Sequence, residues 1–479
     1  MITVLLCALT ALGRDGAAQS EVIANNGDPA LGRRERWDSA ALARNIRGVN
    51  YVPSYARNDV QTWMDYDPAV VDLELGYAEK LRLNTVRVFL QFAVYESDPG
   101  LFMERFEDFL TLCDGHGIRM MPVLFDSCFG EFPDLENYRD KDWMANPGQN
   151  RLQPKHWPSL QEYVQDLVGR HSDDRRIVMW DIMNEPLATS FNAPEDQQLI
   201  WSFVDHFIGY VREQNPVQPL TVGCAFSVEL PRLVRKVDVL AFHNYGRNLK
   251  EDIAGVKGLG ARHGKPIVCN EVVGRPHQPF SFAMPILREE EIGWCFWELM
   301  IGRTQFSRGA YPYQGLVYPD GTCLDAHEIA HVADVTVEEA RMLFRERPRP
   351  RLTEDGVTFN GFWTRWTGDG PEGGRLFFST DPDSTAEWTF EGDRVDMVHK
   401  IGPDCGIALI TIDGAPASQP AIDTYSAQVE WNHRSLLADG LPSGQHTIRV
   451  SPAGRKYARS SNYYIQIVGF SNIAEEMGE

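Results

Sequence analysis

The sequence predicts an α/β protein in which a (β/α)8 barrel is followed by an all-β sandwich. Two patterns predict this arrangement. Between residues 46 and 335, eight short apolar runs alternate with helical segments, and after that only short alternating runs appear. At 479 residues the chain is longer than one hydrophobic core usually grows, so at least two domains are expected.

The first pattern consists of apolar runs, many rich in β-branched or aromatic residues, each followed by a longer segment with helical spacing. Strands that alternate with helices pair in parallel, and uniformly apolar strands indicate burial on both faces of the sheet. Eight such units fit a closed barrel, with a doubly wound open sheet as the alternative. The runs are IRGVNYV (46–52), TVRVFL (85–90), IRMMPVLF (118–125), IVMWDIM (177–183), PLTVGCA (219–225), VDVLAFH (237–243), PIVCNEV (266–272) and IGWCFWEL (292–299).

The second pattern begins after the Arg/Pro-rich stretch 345–351. Runs such as AEWTFEG and GIALITIDG alternate apolar and polar residues, and turn dipeptides such as Asp413-Gly414 separate them. Short alternating strands with frequent turns are typical of a β-sandwich. The predicted organisation is a possible signal peptide (1–19), an N-terminal extension (20–45), the barrel (46–344), a linker (345–352) and the sandwich (353–479).

Composition and the N-terminal residues bound the function and the location. The formal net charge of −21 disfavours a nucleic-acid partner, which would need a basic face. No later stretch has about 18 uninterrupted apolar residues, so no transmembrane span is expected. The apolar run from Ile2 to Leu12 resembles a signal peptide without its positively charged leading region, which favours secretion or the periplasm; a mis-called or disordered start is the alternative. The eight cysteines are scattered and are expected to be buried and unpaired.

Polar side chains stand at the ends of the predicted strands, where a (β/α)8 barrel carries its active site. Each of them alone has an ordinary structural explanation, such as a salt bridge for Arg87 or core packing for Trp297. Taken together they indicate a site. The set is Arg87 on the second strand, Asn184 and Glu185 on the fourth, His243, Asn244 and Tyr245 on the sixth, Asn270 and Glu271 on the seventh and Trp297 on the eighth.

Two glutamates, Glu185 and Glu271, follow strands four and seven and should converge on one rim of the barrel. Two carboxylates in one pocket suit the cleavage of a glycosidic bond, because one protonates the leaving oxygen and the other attacks or stabilises the anomeric carbon. Like charges at short range move their pKa values apart and so separate these roles. The supporting side chains would keep one carboxylate ionised (Arg87, Tyr245), bind a sugar hydroxyl (Asn184) and stack on a pyranose ring (Trp297).

The same residues resemble the retaining β-glycoside hydrolases of clan A, nearest to glycoside hydrolase family 5, which contains cellulases and mannanases. The likeness covers residues 46–335 and includes GVNY at the first strand and QGLVYPDGT after the eighth. It implies double displacement on a β-linked glucan, mannan, xylan or galactan, with no cofactor and no metal. It also implies roles for single residues: Glu185 as acid/base, Glu271 as nucleophile, Arg87 as support for the nucleophile, and His243, Tyr245 and Trp297 as matches to the family's residues on strands six and eight.

The end of strand three departs from that family, many members of which carry histidine there. This chain has Asp126 and Ser127 instead, and Asp126 would contact a substrate hydroxyl or cap the following loop. The long insertion 129–157 would wall the cleft. A retaining mechanism predicts carboxyl groups about 5–5.5 Å apart.

The segment HEIAH, His327 to His331, matches the H-E-x-x-H motif of zinc peptidases. The segment follows the eighth strand, where the last barrel helix belongs, and the sequence offers no third ligand at a suitable spacing. We therefore expect His327, Ala330 and His331 on the stripe of a helix that packs against the barrel. A barrel that binds glycans without cleaving them is the other alternative function.

The C-terminal runs IGPDCGIALITIDG and YYIQIVGF resemble the jelly-roll, galactose-binding-like modules appended to many carbohydrate-active enzymes. The tryptophans of this region would stack on sugar rings, or they would fill the sandwich core or its interface with the barrel, and this structural role is favoured for any one of them. They are Trp363, Trp366, Trp388 and Trp431.

Overall fold

A computed structural model describes residues 37–128, 132–188, 194–275, 277–307, 314–348 and 351–472. The possible signal peptide (1–19) lies outside the described residues, so the secreted or periplasmic location stays a prediction. The seven cysteines within the described residues are all buried and free, as predicted. In this part of the chain, no helix combines the length and the apolar character needed to cross a membrane.

Eight parallel strands close into a barrel in the order β1 to β8, and β8 pairs with β1. The closed barrel is therefore confirmed over the open sheet, and each predicted run contains part or all of one strand. The strands are β1 (Arg47–Asn50), β2 (Thr85–Phe89), β3 (Arg119–Asp126), β4 (Trp180–Asn184), β5 (Leu220–Cys224), β6 (Leu240–Asn244), β7 (Ile267–Val272) and β8 (Gly293–Trp297).

The strands form because both of their faces are covered. Every residue of β2 is buried, as expected for a strand between the barrel interior and a surrounding layer of helices. Local signals start the helices: the Asp67 side chain accepts hydrogen bonds from the N–H groups of Ala69 and Val70 at the beginning of the third helix. The helices are α1 (Ser39–Asn45), α2 (Asp59–Met64), α3 (Pro68–Lys80), α4 (Phe92–Ser97), α5 (Pro99–Gly115), α6 (Trp157–Val164), α7 (Pro194–Glu213), α8 (Leu230–Leu233), α9 (Leu249–His263), α10 (Phe280–Glu289), α11 (Ala326–Ala333) and α12 (Val337–Leu343).

The two ends of the barrel differ in polarity. At the base, Ala43 of α1 and the adjoining Ile46 pack against inward-facing apolar residues such as Met121 and Val268. At the C-terminal ends of the strands, the register pairs polar residues with one another: Asn50 with Arg87, Asp126 with Asn184, and His243 with Glu271. The packed base leaves the C-terminal end as the place for chemistry.

The sandwich consists of two antiparallel sheets with a core of its own. Before it, β9 (Thr322–Cys323) pairs with β10 (Arg345–Glu346), so the first residues of the predicted linker form a short strand. The domain boundaries themselves stay predictions. One sheet has the order β11-β12-β15-β20-β17-β18 and the other β13-β14-β21-β16-β19, with β11 (Arg351–Glu354), β12 (Val357–Asn360), β13 (Thr364–Thr367), β14 (Arg375–Ser379), β15 (Thr385–Glu391), β16 (Val395–Ile401), β17 (Ile407–Ile412), β18 (Ala415–Asp423), β19 (Glu430–Ala438), β20 (Gln445–Pro452) and β21 (Ile465–Ser471).

Candidate active site

Glu185 follows β4 directly, and its carboxylate is buried at the C-terminal mouth of the barrel. Its φ of 43° lies in the left-handed region, which a glutamate seldom adopts. Two hydrogen bonds hold this backbone: the Glu185 N–H donates to the carbonyl of Gly223 at 2.7 Å, and the Ser127 hydroxyl donates to the Glu185 carbonyl at 2.8 Å. Burial raises the pKa of Glu185 above its ordinary value, so its carboxyl keeps a proton to higher pH.

Glu271 lies in β7 and accepts a hydrogen bond at each carboxylate oxygen. Arg87 Nη1 donates to Oε1 at 2.6 Å, and the Tyr245 hydroxyl donates to Oε2 at 2.8 Å. Burial raises the pKa of Glu271, while the positive charge of Arg87 counteracts that rise. Donors on both oxygens stabilise the ionised carboxylate, so Glu271 has the better environment for an anion.

His243 lies between the two glutamates. Its Nδ1 is 2.6 Å from Oε1 of Glu185 and 3.3 Å from Oε2 of Glu271. One carboxylate oxygen of each glutamate and a ring nitrogen of His243 all lie within 4.8 Å of one another. Burial lowers the pKa of His243 to about 4, so the imidazole is neutral above that pH. The predicted convergence of the two glutamates on one rim is confirmed.

Arg87 is fully buried and connects the mouth of the barrel to a polar layer beneath it. Its Nε and Nη2 donate to Oδ2 of Asp181 at 3.0 and 2.8 Å. Nη1 also donates to Asn50 Oδ1 at 2.9 Å, and Nη2 donates to Asn184 Oδ1 at 2.7 Å. One guanidinium thus fixes both Asn184 and the carboxylate of Glu271.

Asp181 and Asn50 belong to this layer although the sequence did not single them out, and Asn270, noted at the end of the seventh strand, joins them. Oδ2 of Asp181 also accepts from Asn270 Nδ2 at 3.1 Å, and Asn50 Nδ2 donates to the Asn270 carbonyl at 3.0 Å. A signal was present. Asp181 is the only charged residue of IVMWDIM and Arg87 the only one of TVRVFL, and charges in strands buried on both faces require partners.

Asp126 is the last residue of β3, and its carboxylate accepts hydrogen bonds from neighbouring protein groups. Its Oδ1 accepts from Asn184 Nδ2 at 3.0 Å and from the Cys128 N–H at 2.9 Å, and its Oδ2 accepts from the Trp143 indole at 2.6 Å. Burial raises the pKa of Asp126 to about 7, against the effect of these donors. Of the two roles expected for Asp126, the structure shows the cap of the following loop, through the Cys128 N–H. Asp126 also orients the Asn184 side chain.

Trp297 ends β8 in an aromatic cluster at the mouth of the barrel. Phe89, Trp143 and Phe306 contact it edge-to-face, with ring centroids 5.6, 5.9 and 5.8 Å away. The side chain is 5% exposed, so little of its ring face reaches solvent. Trp143 belongs to the insertion 129–157, whose described part therefore contributes to the wall of the site.

The H-E-x-x-H segment lies on α11, and its glutamate is held by an ion pair. Nε and Nη2 of Arg275 donate to the two oxygens of Glu328 at 2.7 and 2.5 Å, and both side chains are buried. Glu328 is therefore the partner of a buried arginine and not a base available to activate water, so this geometry does not support the zinc-peptidase interpretation.

The expected orientation of α11 was wrong. The helix buries Ala326, Ile329 and Val332, whereas His327, Ala330 and His331 are half-buried. The physical reason is that the larger apolar side chains gain more from burial than the histidines do.

Within the described residues there are two clusters, each with three side chains close enough together to bind one metal ion. One is Glu185, His243 and Glu271, and the other is the surface group Glu107, His171 and Asp174. In each cluster an arginine already neutralises carboxylate charge: Arg87 donates a hydrogen bond to Glu271, and Arg176 donates to both Glu107 and Asp174. We assign no metal to either group, and the expectation that the protein needs neither metal nor cofactor stays a prediction.

The four tryptophans of the sandwich pack within the protein. Trp366 and Trp431 stack on each other at 5.5 Å, and Lys400 Nζ lies 5.3 Å from the Trp431 ring. The other two pack against phenylalanines: Trp363 against Phe359, and Trp388 against Phe390 and Phe470. The core placement favoured from the sequence is confirmed for Trp363 and Trp388, which belong to the sandwich core or pack against it, whereas Trp366 and Trp431 are half-buried and lie outside that cluster.

Comparison with known proteins finds similar barrels among solved structures. No family model and no curated protein sequence matches the chain. GH5_18 from Streptomyces cattleya in complex with GlcNAc is 18% identical, with 64% of this chain and 83% of that chain covered and a TM-score of 0.46. The exo-β-1,4-mannosidase Op5Man5 from Opitutaceae bacterium strain TAV5 is 19% identical, with coverages of 64% and 62% and a TM-score of 0.47. The hyperthermostable endo-1,4-β-D-mannanase from Thermotoga petrophila RKU-1 is 14% identical, with coverages of 62% and 99% and a TM-score of 0.43. At these values no activity or substrate follows from the likeness.

Proposed function

We propose that this protein is a retaining β-glycoside hydrolase in which Glu271 is the nucleophile and Glu185 the acid/base. The observation that carries the proposal is the pair of buried carboxylates at the C-terminal mouth of the barrel, with one oxygen of each within 4.8 Å of the other. An oxygen–oxygen distance of at most 4.8 Å is shorter than the roughly 6.5–9.5 Å between the carboxyl groups of inverting enzymes, which supports the retaining arrangement of about 5–5.5 Å.

The different surroundings of the two glutamates support the assignment of roles. Glu271 accepts hydrogen bonds from Arg87 and Tyr245, which favour the ionised form that a nucleophile needs. Glu185 has no arginine hydrogen bond among the described residues, and burial raises its pKa, which favours the protonated form that a general acid needs. The neutral His243 ring between them orients both carboxylates without adding a charge.

The reaction then proceeds in two displacements. In the first, an oxygen of Glu271 forms a bond to the anomeric carbon while the glycosidic C–O bond breaks, and Glu185 gives its proton to the leaving oxygen. In the second, Glu185 takes a proton from water, the water oxygen attacks the anomeric carbon, and the bond to Glu271 breaks. The two inversions restore the β configuration, and Glu185 ends protonated as it began.

The proposed substrate is a neutral β-linked oligo- or polysaccharide of the glucan, mannan, xylan or galactan type. The Asn184 amide is fixed by Arg87 and Asp126 beside Glu185, where it can bind a sugar hydroxyl. The net charge of −21 favours a substrate that is not itself an anion.

The test is hydrolysis of a panel of aryl β-glycosides and β-linked polysaccharides by wild type, Glu185→Ala and Glu271→Ala. We expect Glu271→Ala to abolish turnover. Loss of the acid/base in Glu185→Ala should lower kcat on natural leaving groups by about 10²–10⁴-fold, and by less on activated aryl leaving groups, which need no proton. Proton NMR of the first product should show the β anomer.

The control is Glu107→Gln, which changes an exposed glutamate on α5 outside the barrel mouth and should leave the rates unchanged. An α anomer as first product would exclude the retaining mechanism. Equal inactivity of wild type and both variants over the whole panel, combined with binding of a glycan, would favour the barrel that binds without cleaving.

A further inference from the structure

We propose that sandwich residues 462–464 position Tyr245 of the barrel and, through it, the carboxylate of Glu271. The sandwich would then be part of the support of the active site and not a separable sugar-binding module. The catalytic consequences of this inference rest on the proposed function.

The first contact between the sandwich and the barrel is made by His277, which follows β7. Its Nδ1 lies 2.7 Å from Asn462 Nδ2 and 3.0 Å from the Tyr464 hydroxyl. The His277 side chain is half-buried between these partners. Two polar groups of the sandwich thus meet one barrel residue that lies six positions after Glu271 in the chain.

The second contact is made by Arg247, two positions after Tyr245. Its guanidinium lies 4.6 Å from the ring centroid of Tyr463 and 4.7 Å from that of Phe282 on α10. A cation held between an aromatic ring of the sandwich and one of the barrel joins the two parts by cation–π attraction and by burial.

His277 lies in a hairpin that is closed by an antiparallel bridge between Gly274 and Gln278. The N–H of Gly274 donates to the Gln278 carbonyl at 2.9 Å, and the N–H of Gln278 donates to the Gly274 carbonyl at 2.7 Å. On the barrel side, Arg275 anchors the hairpin through its buried ion pair with Glu328. Glu328, the glutamate of the H-E-x-x-H segment, therefore stabilises the hairpin from the barrel side. Asn462 and Tyr464 of the sandwich contact the hairpin from the other side.

Gln278 connects the hairpin to the turn that carries Tyr245. Its Nε2 donates to Asn244 Oδ1 at 2.9 Å and to the Gly246 carbonyl at 2.7 Å. Its Oε1 accepts from the Val273 N–H at 2.7 Å. Gln278 thus bonds to both neighbours of Tyr245, while the Tyr245 hydroxyl donates to Glu271.

The consequence is a continuous set of contacts from residues 462–464 through His277 and Gln278 to Tyr245. Loops at an active site are usually among the least stable parts of a fold, so contacts from outside the barrel set how well they are ordered. A hydroxyl that moves by a fraction of an ångström no longer stabilises the ionised nucleophile in the geometry that catalysis needs.

The experiment compares wild type with the double variant Asn462→Ala/Tyr463→Ala on a small aryl β-glycoside, which fills the active site without reaching the sandwich. We expect kcat/KM to fall about tenfold, chiefly through kcat. Tyr463→Phe keeps the ring over Arg247 and should retain activity. Trp366→Ala, which removes a large aromatic side chain stacked within the sandwich, should leave this substrate's kinetics unchanged.

Hydrogen–deuterium exchange provides a readout that does not depend on activity. Amides of residues 243–248 should exchange faster in the double variant, while those of β2 and β3 keep wild-type rates and so report an intact barrel. Faster exchange in a protein whose wild type is inactive on every substrate would uphold the coupling and reject the proposed function. Unchanged exchange and unchanged kinetics in the double variant would overturn the inference, as would an equal loss of activity in Trp366→Ala.

Discussion

The backbone of Glu185 is the clearest case in which one residue is held against its own preference. A non-glycine residue in the left-handed region costs about 1 kcal/mol and persists only when its surroundings impose it. Here the Ser127 hydroxyl donates to the carbonyls of Glu185 and Pro186 at 2.8 and 3.1 Å. Ser127 belongs to the strand-three segment where this chain departs from the family that it resembles, so this departure includes a hydrogen bond that holds the backbone of Glu185, the proposed acid/base.

Ser127→Ala should remove that hydrogen bond. We expect kcat to fall about tenfold and the free energy of unfolding to fall by about 1 kcal/mol, because a buried carbonyl loses its donor. The measurements are steady-state kinetics and urea denaturation. Ser97→Ala is the matched control, since the Ser97 hydroxyl also donates to a carbonyl, that of Val94 at the end of α4. A comparable loss of kcat in both variants would show that the effect is not specific to Glu185.

Strand β5 makes room for the polar layer because its residue 223 is a glycine, which has no side chain. A Cβ there would lie 2.8 Å from Arg87 Nη2 and 2.9 Å from both Asn270 Nδ2 and His243 Nε2. The strand therefore lets the polar layer and the His243 ring occupy the centre of the barrel. The three nearest heavy atoms all belong to side chains of the hydrogen-bonded site, so a Cβ at this position would displace those side chains first.

Gly223→Ala should consequently disturb the site more than the fold. We expect kcat to fall by at least about 10²-fold from the displaced guanidinium and imidazole, with a loss of roughly 1–3 kcal/mol in stability from overpacking. Gly255→Ala on α9 is the control, because a Cβ at that position meets nothing within 4 Å. Wild-type kinetics in Gly223→Ala would mean that the polar layer relaxes without affecting the glutamates.

The sequence predicted elements better than the contacts between them. All eight barrel strands were located because apolar runs signal strands buried on both faces, and the residues at their ends followed from the barrel geometry. The pairing of Asp181 with Arg87 was missed because it depends on strand register, which the apolar pattern does not specify. The orientation of α11 was wrong because hydrophobic gain, not the spacing of its histidines, decides which face is buried. The contact of Asn462 with His277 depends on how sandwich and barrel dock, and no local pattern encodes that.

At the scale of the whole molecule, the loops around the barrel mouth carry several buried carboxyl groups. Burial raises the pKa values of Asp126 at the end of β3, Glu229 after β5 and Glu298 after β8, each to about 7. A site of this kind concentrates acids where water is excluded, so each additional carboxylate there costs stability once it ionises.

The direction of the resulting pH dependence follows from linkage. Because the folded pKa of Glu298 is raised above its ordinary value, its contribution to stability is complete below about pH 4 and is lost as the pH rises through about 7. The free energy of unfolding should therefore decrease between pH 5 and pH 8. Glu298→Gln, which keeps the side chain's size and cannot ionise, should remove part of that decrease.

The measurement is urea denaturation of wild type and Glu298→Gln at pH 5, 6.5 and 8. The stability difference, variant minus wild type, should increase by on the order of 2 kcal/mol from pH 5 to pH 8. Comparing the two proteins at each pH cancels every other titrating group, including the histidines. Thr304 and Ser307 donate to one oxygen of Glu298 at 2.7 and 2.6 Å, and the amide oxygen of glutamine can accept both bonds, so the variant keeps these contacts. A difference that stays constant over this range would mean that Glu298 is already ionised at pH 5 in the folded protein. The decrease in the free energy of unfolding with pH would then come from Asp126 and Glu229.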